Sequence, residues 1–337
     1  MTEASIRFQT HYPDPGNATF TGKTVLMLVS HDWNRLGSIL ARKSVTKFGA
    51  RPIVHSEGSP APTLIYRIKM SQKIISVRAS SFGTLFDCAY RFEGEQLMKM
   101  NKPSSLRAWM GTSIHASTAA FDLAALDGKP ISANEAADVL VEKLHNPDCE
   151  VNYEDDNINL REAEKISLTL HSRYCAEIAP KMVYQSIEMP LSPLDIDCGD
   201  NLIIRLTGTM DRARVVKSVD GKVIADLKTG SRLITEDKVS TKGRAAQLGT
   251  YQILSEHTDG EETYGAQIIA LQTTSATKVG VSKVFDAKKV MLGDENQEGL
   301  IHMAAKMFKI GLFPPNPQSV LCDKKYCSRW GVCTYHE

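Results

Sequence analysis

Residues 202–230 read LIIRLTGTMDRARVVKSVDGKVIADLKTG. Leu202 to Val216 is rich in Ile, Leu, Thr and Val, and Lys222 to Thr229 has the same character, so both runs read as β-strands. Asp220-Gly221 between them is a turn signal. Into this apolar hairpin the sequence sets Asp211, Asp226 and Lys228. Asp226 and Lys228 are two residues apart, so on a strand they share a face while Leu227 points to the other. Charges on a buried strand are costly unless a cation or a partner neutralises them. A two-residue turn at Asp220-Gly221 would set Asp211 opposite Gly230, far from Asp226. Bringing the two carboxylates together therefore requires a longer loop or a bulge.

Two carboxylates and a lysine suit one kind of chemistry. Carboxylate oxygens hold a hard divalent metal together with waters and a substrate phosphate. Such a metal activates water and steadies charge on a phosphoryl oxygen. A lysine ammonium, a compact positive charge, orients that water or the phosphate. The three residues together point to phosphodiester hydrolysis.

Gly208-Thr209-Met210-Asp211-Arg212 followed by Asp226-Leu227-Lys228-Thr229-Gly230 resembles the core of the PD-(D/E)XK nuclease superfamily, and within it the RecB and AddB branch and the iron–sulfur nucleases of CRISPR adaptation. A lone D-x-K is common and by itself reads as a surface hairpin. The resemblance rests on an ordered series over roughly residues 80 to 337: Cys88, Gly111-x-x-x-His115, Gly208-x-x-Asp211, Asp226-x-Lys228, Gln247-x-x-x-Tyr251, then Cys322, Cys327 and Cys333.

The chain of 337 residues carries a formal net charge of +1, so no overall basic character announces nucleic acid. Its length suits one large domain or two modest ones. No stretch approaches a membrane span and the N-terminus lacks a signal-peptide core, which predicts a cytoplasmic protein without a membrane partner. Disulfides are rare in that compartment, so the seven cysteines read as ligands or buried thiols.

Residues 1–75 read as a separate accessory unit with strands at 23–30 and 64–70, a helix at 33–48 and a loop at 56–63. Ten Lys/Arg against four Asp/Glu make it basic, at +6, which suits either DNA or a partner protein. Gly22-Lys23-Thr24 is not a phosphate loop, because residue 17, where its first glycine belongs, is Asn. Residues 76–337 form the expected nuclease domain. Ser80 or Ser81 caps a helix running through Cys88 to Phe92, and Pro103-Ser104-Ser105 opens another that carries His115 and ends near Gly128. Ser132-x-x-Glu135 and Asn159-x-x-Glu162 open two helices of an insertion at about 130–182, the second reaching Ala179 before Pro180. The acidic run 154–156 reads as a solvated loop, and Cys149 and Cys175 as structural. Val183 to Pro190 reads as the first core strand, carrying Glu188. Lys242 to His257 reads as a helix with Gln247 and Tyr251 on one face, Tyr264 to Thr273 as a strand, and Glu295 to Ile310 as a late helix.

Three cysteines in the last stretch, 322–333, are a metal signal in their own right. The resemblance implies Cys88 as a fourth ligand and a [4Fe–4S] staple with a structural role; four cysteines also suit zinc. Cys322 and Cys327 are separated by four residues, where the family's usual spacing is two. Lys324, Lys325 and Arg329 beside them suit a DNA backbone track.

The implied fold is α/β: a restriction-endonuclease-like mixed sheet flanked by helices. The implied activity is a metal-dependent DNA exonuclease on single strands or duplex ends, in recombination, repair or phage and CRISPR DNA processing. Asp211, Asp226, the Leu227 carbonyl and His115 would hold Mg²⁺ or Mn²⁺, and an imidazole ligand leans toward manganese as well as magnesium. Lys228 would position the water. Gln247 would fix Lys228 or the scissile phosphate, Tyr251 would stack on a base or bond a phosphate, and Glu188 is a further candidate acid. The alternative is a non-catalytic DNA-binding or scaffold subunit of a helicase or recombination complex. A helicase, annealing or recombination protein would be the partner.

Overall fold

The computed structural model describes residues 72–154, 156–217 and 221–336, with Glu3–Ser5 and Leu28–Ser30 as a short antiparallel pair. The expected helix at 33–48, loop at 56–63 and strand at 64–70, and most of the strand at 23–30, lie outside the described residues.

Six strands make one mixed sheet: β1 (Lys73–Arg78), β2 (Tyr184–Asp197), β3 (Leu202–Val216), β4 (Gly221–Gly230), β5 (Thr263–Gln272) and β6 (Val279–Val281). The order is β6-β5-β4-β3-β1, with β2 also on β3. β3 is antiparallel to β2 and β4 and parallel to β1, while β5 is parallel to β4 and antiparallel to β6. Because β2 occupies one edge of β3 along most of its length, β1 and β4 share the other edge. Leu202–Thr207 pair with β1 and Arg212–Val216 pair with β4. Neither of those strands pairs with residues 208–211, and there the sheet forks.

The β3–β4 ladder runs from Arg212↔Ala225 to Val216↔Gly221. Pairing of Gly221 with Val216 excludes the register of a two-residue Asp220-Gly221 turn. One further step in the observed ladder sets Asp211 opposite Asp226.

Helices cover both faces, which is the α/β architecture implied by the sequence. α1 (Ala79–Asp87), α5 (Ala245–Asp259) and α6 (Leu300–Ile310) pack Phe82, Leu248 and Phe308 into one cluster with Ile224 of β4. α2 (Leu106–Leu126), α3 (Ala133–His145) and α4 (Leu160–Arg173) pack Ile114, Leu140 and Leu170 into the other, with Ala225 and Leu227. The alternation of β4 thus assigns Leu227 to the α2 side and its neighbours Asp226 and Lys228 to the α5 side. Three helix starts follow the capping signals. Ser105 accepts from the Ala108 N–H, Ser132 forms a capping box with Glu135, and Asn159 accepts from the Glu162 N–H.

Other elements depart from expectation. β1 crosses residue 75 and leads directly into α1, which starts at Ala79; Ser81 donates back to the Arg78 carbonyl and caps nothing. Cys88 is extended (φ −146°, ψ 99°) and breaks the helix before Ala89–Phe92. α4 gives way at Tyr174 to a π-turn and then to a 3₁₀ turn around Pro180. The last helix begins only at Leu300, after the paired strands Gly293–Asp294 and Gln297–Glu298. Glu154 is exposed, but Asp156 is not solvated: its side chain is fully buried, accepts the Arg107 N–H at 2.7 Å and pairs with Lys325. Among the described residues no helix is long and apolar enough to cross a membrane.

Candidate active site and cysteine pocket

At the fork, Asp211 bends toward β4 and its Oδ2 accepts the Leu227 N–H at 2.8 Å. The side chain takes the place of the next backbone rung, so its carboxylate lies at the level of Asp226. On β2, Ile187 and Met189 pair with Arg212 and Met210, which sets Glu188 across from Asp211. Glu188 has φ +46°, a left-handed conformation that is strained for a non-glycine residue in a strand. α2 delivers His115, whose Nδ1 is 3.5 Å from Asp211 Oδ2.

One ligand atom from each of His115, Glu188 and Asp211 lies within 4.8 Å of the other two. Asp226 stands just across the fork. Its side chain is 1 % exposed and Oδ2 is 2.6 Å from Lys228 Nζ. That oxygen forms no well-directed hydrogen bond although it is buried. A buried carboxylate oxygen neutralised only by a lysine, beside an imidazole and two further carboxylates, belongs to a donor set that fits a hard divalent cation.

The electrostatics agree. Burial first, and then the positive charges of Lys228 and Arg212, bring the His115 imidazole down to about 3, so it is neutral and free to ligate. Glu188 is exposed as a residue, but its carboxyl turns into the cleft; desolvation first and Asp211 second push it up to about 7. Burial likewise raises Asp226, opposed by Lys228.

Two glycines permit these approaches. A Cβ on Gly111 of α2 would meet Thr229 Oγ1 of β4 at 2.5 Å. A Cβ on Gly208 would meet the Tyr251 ring at 2.9 Å. Tyr251 is 5 % exposed and packs there, which leaves no ring face for a base to stack on. Burial raises its hydroxyl well above the ordinary phenol range, so it stays protonated. Gln247 Nε2 lies 3.4 Å from Asp226 Oδ1 and 3.3 Å from the Tyr251 hydroxyl; its hydrogen bonds go to these two groups and not to Lys228.

Sequence reasoning gave no role to Arg212. Fully buried, it donates to Asp122 at 2.8 Å and to Thr118 at 3.0 Å, and Tyr174 donates to the same Asp122 oxygen at 2.6 Å. His115, Thr118 and Asp122 fall on one stripe of α2 by their spacing, a signal that could have linked them. The network seats α2 on β3 directly beneath Asp211.

Cys88, Cys322, Cys327 and Cys333 line a single small pocket with Tyr90, Arg91 and His336. Desolvation, then the thiols of Cys333 and Cys88, push Cys322 up. Among the described residues the His115 group is the one that brings three ligand atoms within 4.8 Å, so no three of the four sulfurs lie that close together. Arg329 does not track a DNA backbone. It is 6 % exposed, donates to Glu93 at 2.9 Å and lies over the Tyr90 ring at 4.0 Å.

A mixed sheet with helices on both faces, forked where Asp211 reaches the level of Asp226 and Lys228, is the restriction-endonuclease-like architecture that the sequence implied. The family model of the PD-(D/E)XK nuclease superfamily matches residues 76–334, and the chain belongs to that superfamily. Nucleases of this kind use divalent metals. No curated protein matches the chain in sequence. A crystal structure from Eubacterium rectale named "Putative exonuclease" is similar at 12 % identity and a TM-score of 0.45, over 79 % of this chain and 93 % of that one.

Proposed function

We propose that the protein is a divalent-metal-dependent DNA exonuclease acting on single strands or duplex ends. The observation that carries this reading is the meeting of Asp211 and Asp226 across the fork, with Lys228 Nζ 2.6 Å from Asp226. Asp211, Asp226, His115 and the Leu227 carbonyl would hold Mg²⁺ or Mn²⁺, with Glu188 close enough to join them. The cation, when bound, supplies an activated water and neutralises charge on the phosphoryl oxygens. Lys228, 2.6 Å from Asp226 in this structure, would direct its ammonium at the attacking water or the phosphate. Gln247 holds Asp226 in place and reaches the protonated Tyr251 hydroxyl, which is left as a donor toward the strand. Cys88, Cys322, Cys327 and Cys333 would hold a [4Fe–4S] cluster that staples the tail to the start of the domain.

End-labelled strands blocked at the 5′ or the 3′ terminus, digested with each metal in turn, test the activity. A ladder or mononucleotides is expected from wild type and no product from Asp226→Ala or Lys228→Ala. Undiminished cleavage by both variants would remove the assignment, and discrete fragments would make the enzyme an endonuclease. Brown, iron-containing protein is expected from the cysteine pocket; a colourless preparation with stoichiometric zinc overturns the cluster.

A further inference from the structure

Beside the candidate active site an open groove of about 750 Å³ runs between the helical insertion and the cysteine tail. One wall is α4, through Lys165 and Thr169. The opposite wall is Ser231, just past β4, with Thr274 and Thr277 of the β5–β6 turn. Tyr326 of the tail lies at one end.

The lining is cationic and hydroxyl-rich. Lys165 is exposed and has no ion-pair partner among the described residues. Arg107 and Lys325 also face the groove, although both are tied to the buried Asp156. Glu162 is the carboxylate on the lining. The Tyr326 ring is 44 % exposed, with Lys325 Nζ 5.4 Å from its centre. Cations and hydroxyls suit phosphates without reading sequence, and an exposed tyrosine offers a face on which a base can stack.

Two rulers connect the groove to the site. Ser231 follows Lys228 by three residues, the strand ending at Gly230, so the two lie within about 10 Å at ~3.3 Å per residue. Arg107 precedes His115 by eight residues of one helix, about 12 Å at ~1.5 Å per residue.

Resting on the nuclease reading above, we propose that this groove holds the single-stranded polynucleotide next to the scissile phosphate, with Lys165 on its backbone and Tyr326 under a base. The groove would make the enzyme's preference one for unpaired strands, tolerant of sequence.

Binding of fluorescent dT12 is measured by anisotropy across a salt series on full-length protein carrying Lys228→Ala, so that no cleavage is needed. Tyr326→Ala should weaken binding by about tenfold, and Lys165→Ala should weaken it several-fold while lowering the salt slope by about one. Lys289→Ala, an exposed lysine paired with Asp294 away from the groove, should change neither. A U12 strand tells RNA from DNA, and a blunt duplex should be insensitive to the groove variants. Unchanged dT12 affinity in both variants, or an equal loss on the duplex, overturns the proposal. In the active protein the same variants should raise KM for a long strand more than they lower kcat. Absence of cleavage by wild type would sink the nuclease reading and leave the binding result to judge the groove.

Discussion

Asp211 on β3 accepts the backbone N–H of Leu227 on β4 at 2.8 Å, across the gap where the two strands part. The carboxylate is at once a rung of the sheet and a candidate ligand, and substitution separates these roles. Asp211→Asn can keep its oxygen on the Leu227 N–H and should retain stability while cleavage falls on the order of 10²–10³-fold. Asp211→Ala also strands a buried donor and should lose a further ~1–3 kcal/mol in urea unfolding. Equal stability of the two variants would deny the structural half of this claim.

The crowded acids make cation binding pH-dependent. In the cation-free site Glu188 holds its proton up to about 7, against an ordinary 4.5. The folded state binds that proton more tightly than the unfolded chain. The cation-free protein should therefore lose stability as pH rises from about 4.5 through about 7 and level off above it. Mn²⁺ binding must expel the proton, so affinity should climb over the same window, with proton release detectable by calorimetry in buffers of different ionisation heat. Glu188→Gln should flatten both profiles. Asp226, also raised, leaves the residual slope.

The Arg212–Asp122 pair is sealed from solvent, with side chains 0 % and 2 % exposed. Removing the cation alone leaves Asp122 facing only the Tyr174 hydroxyl. Arg212→Met should destabilise by roughly 3–5 kcal/mol, and adding Asp122→Asn should recover part of that loss. Denaturant unfolding of the single and double variants measures both.

Side-chain contacts dock the tail on the helix that follows Cys88. Arg329 lies against Gly94, where an added Cβ would sit 2.5 Å from Arg329 Nε. Gly94→Ala should push Arg329 off Tyr90 and Glu93, and Cys88→Ser should remove one thiol from the pocket. Both variants should expose the tail to limited proteolysis while the sheet stays folded by circular dichroism. Resistance equal to wild type would mean that neither contact anchors it.

The hairpin from Leu202 to Gly230 was legible because its apolar runs, its turn signal and its misplaced charges are all local. Helix starts at Ser105, Ser132 and Asn159 were legible for the same reason, since a cap is written within four residues. β1 was not: KIISVR is six residues long, and its parallel partner on β3 lies 129 residues away. Asp156 read as solvent because nothing nearby in sequence announces Arg107 or Lys325. Glu188 was visible as an acid on a strand, but its place opposite Asp211 depends on a register that only pairing reveals. Arg329 looked like a surface cation for want of any sign that Tyr90 and Glu93 would receive it. In each miss the deciding contact joins distant segments, and distance along the chain is what local patterning cannot encode.

The cysteine pocket joins Cys88 to Cys333, 245 residues later. At ~5–20 residues per second a ribosome needs roughly 12 to 50 s to make the second thiol after the first. His115, Asp211, Asp226 and Lys228 all emerge earlier. A nascent polypeptide can thus own every group at the fork before the fourth thiol of the pocket exists, so the fork and the pocket can assemble in that order during synthesis.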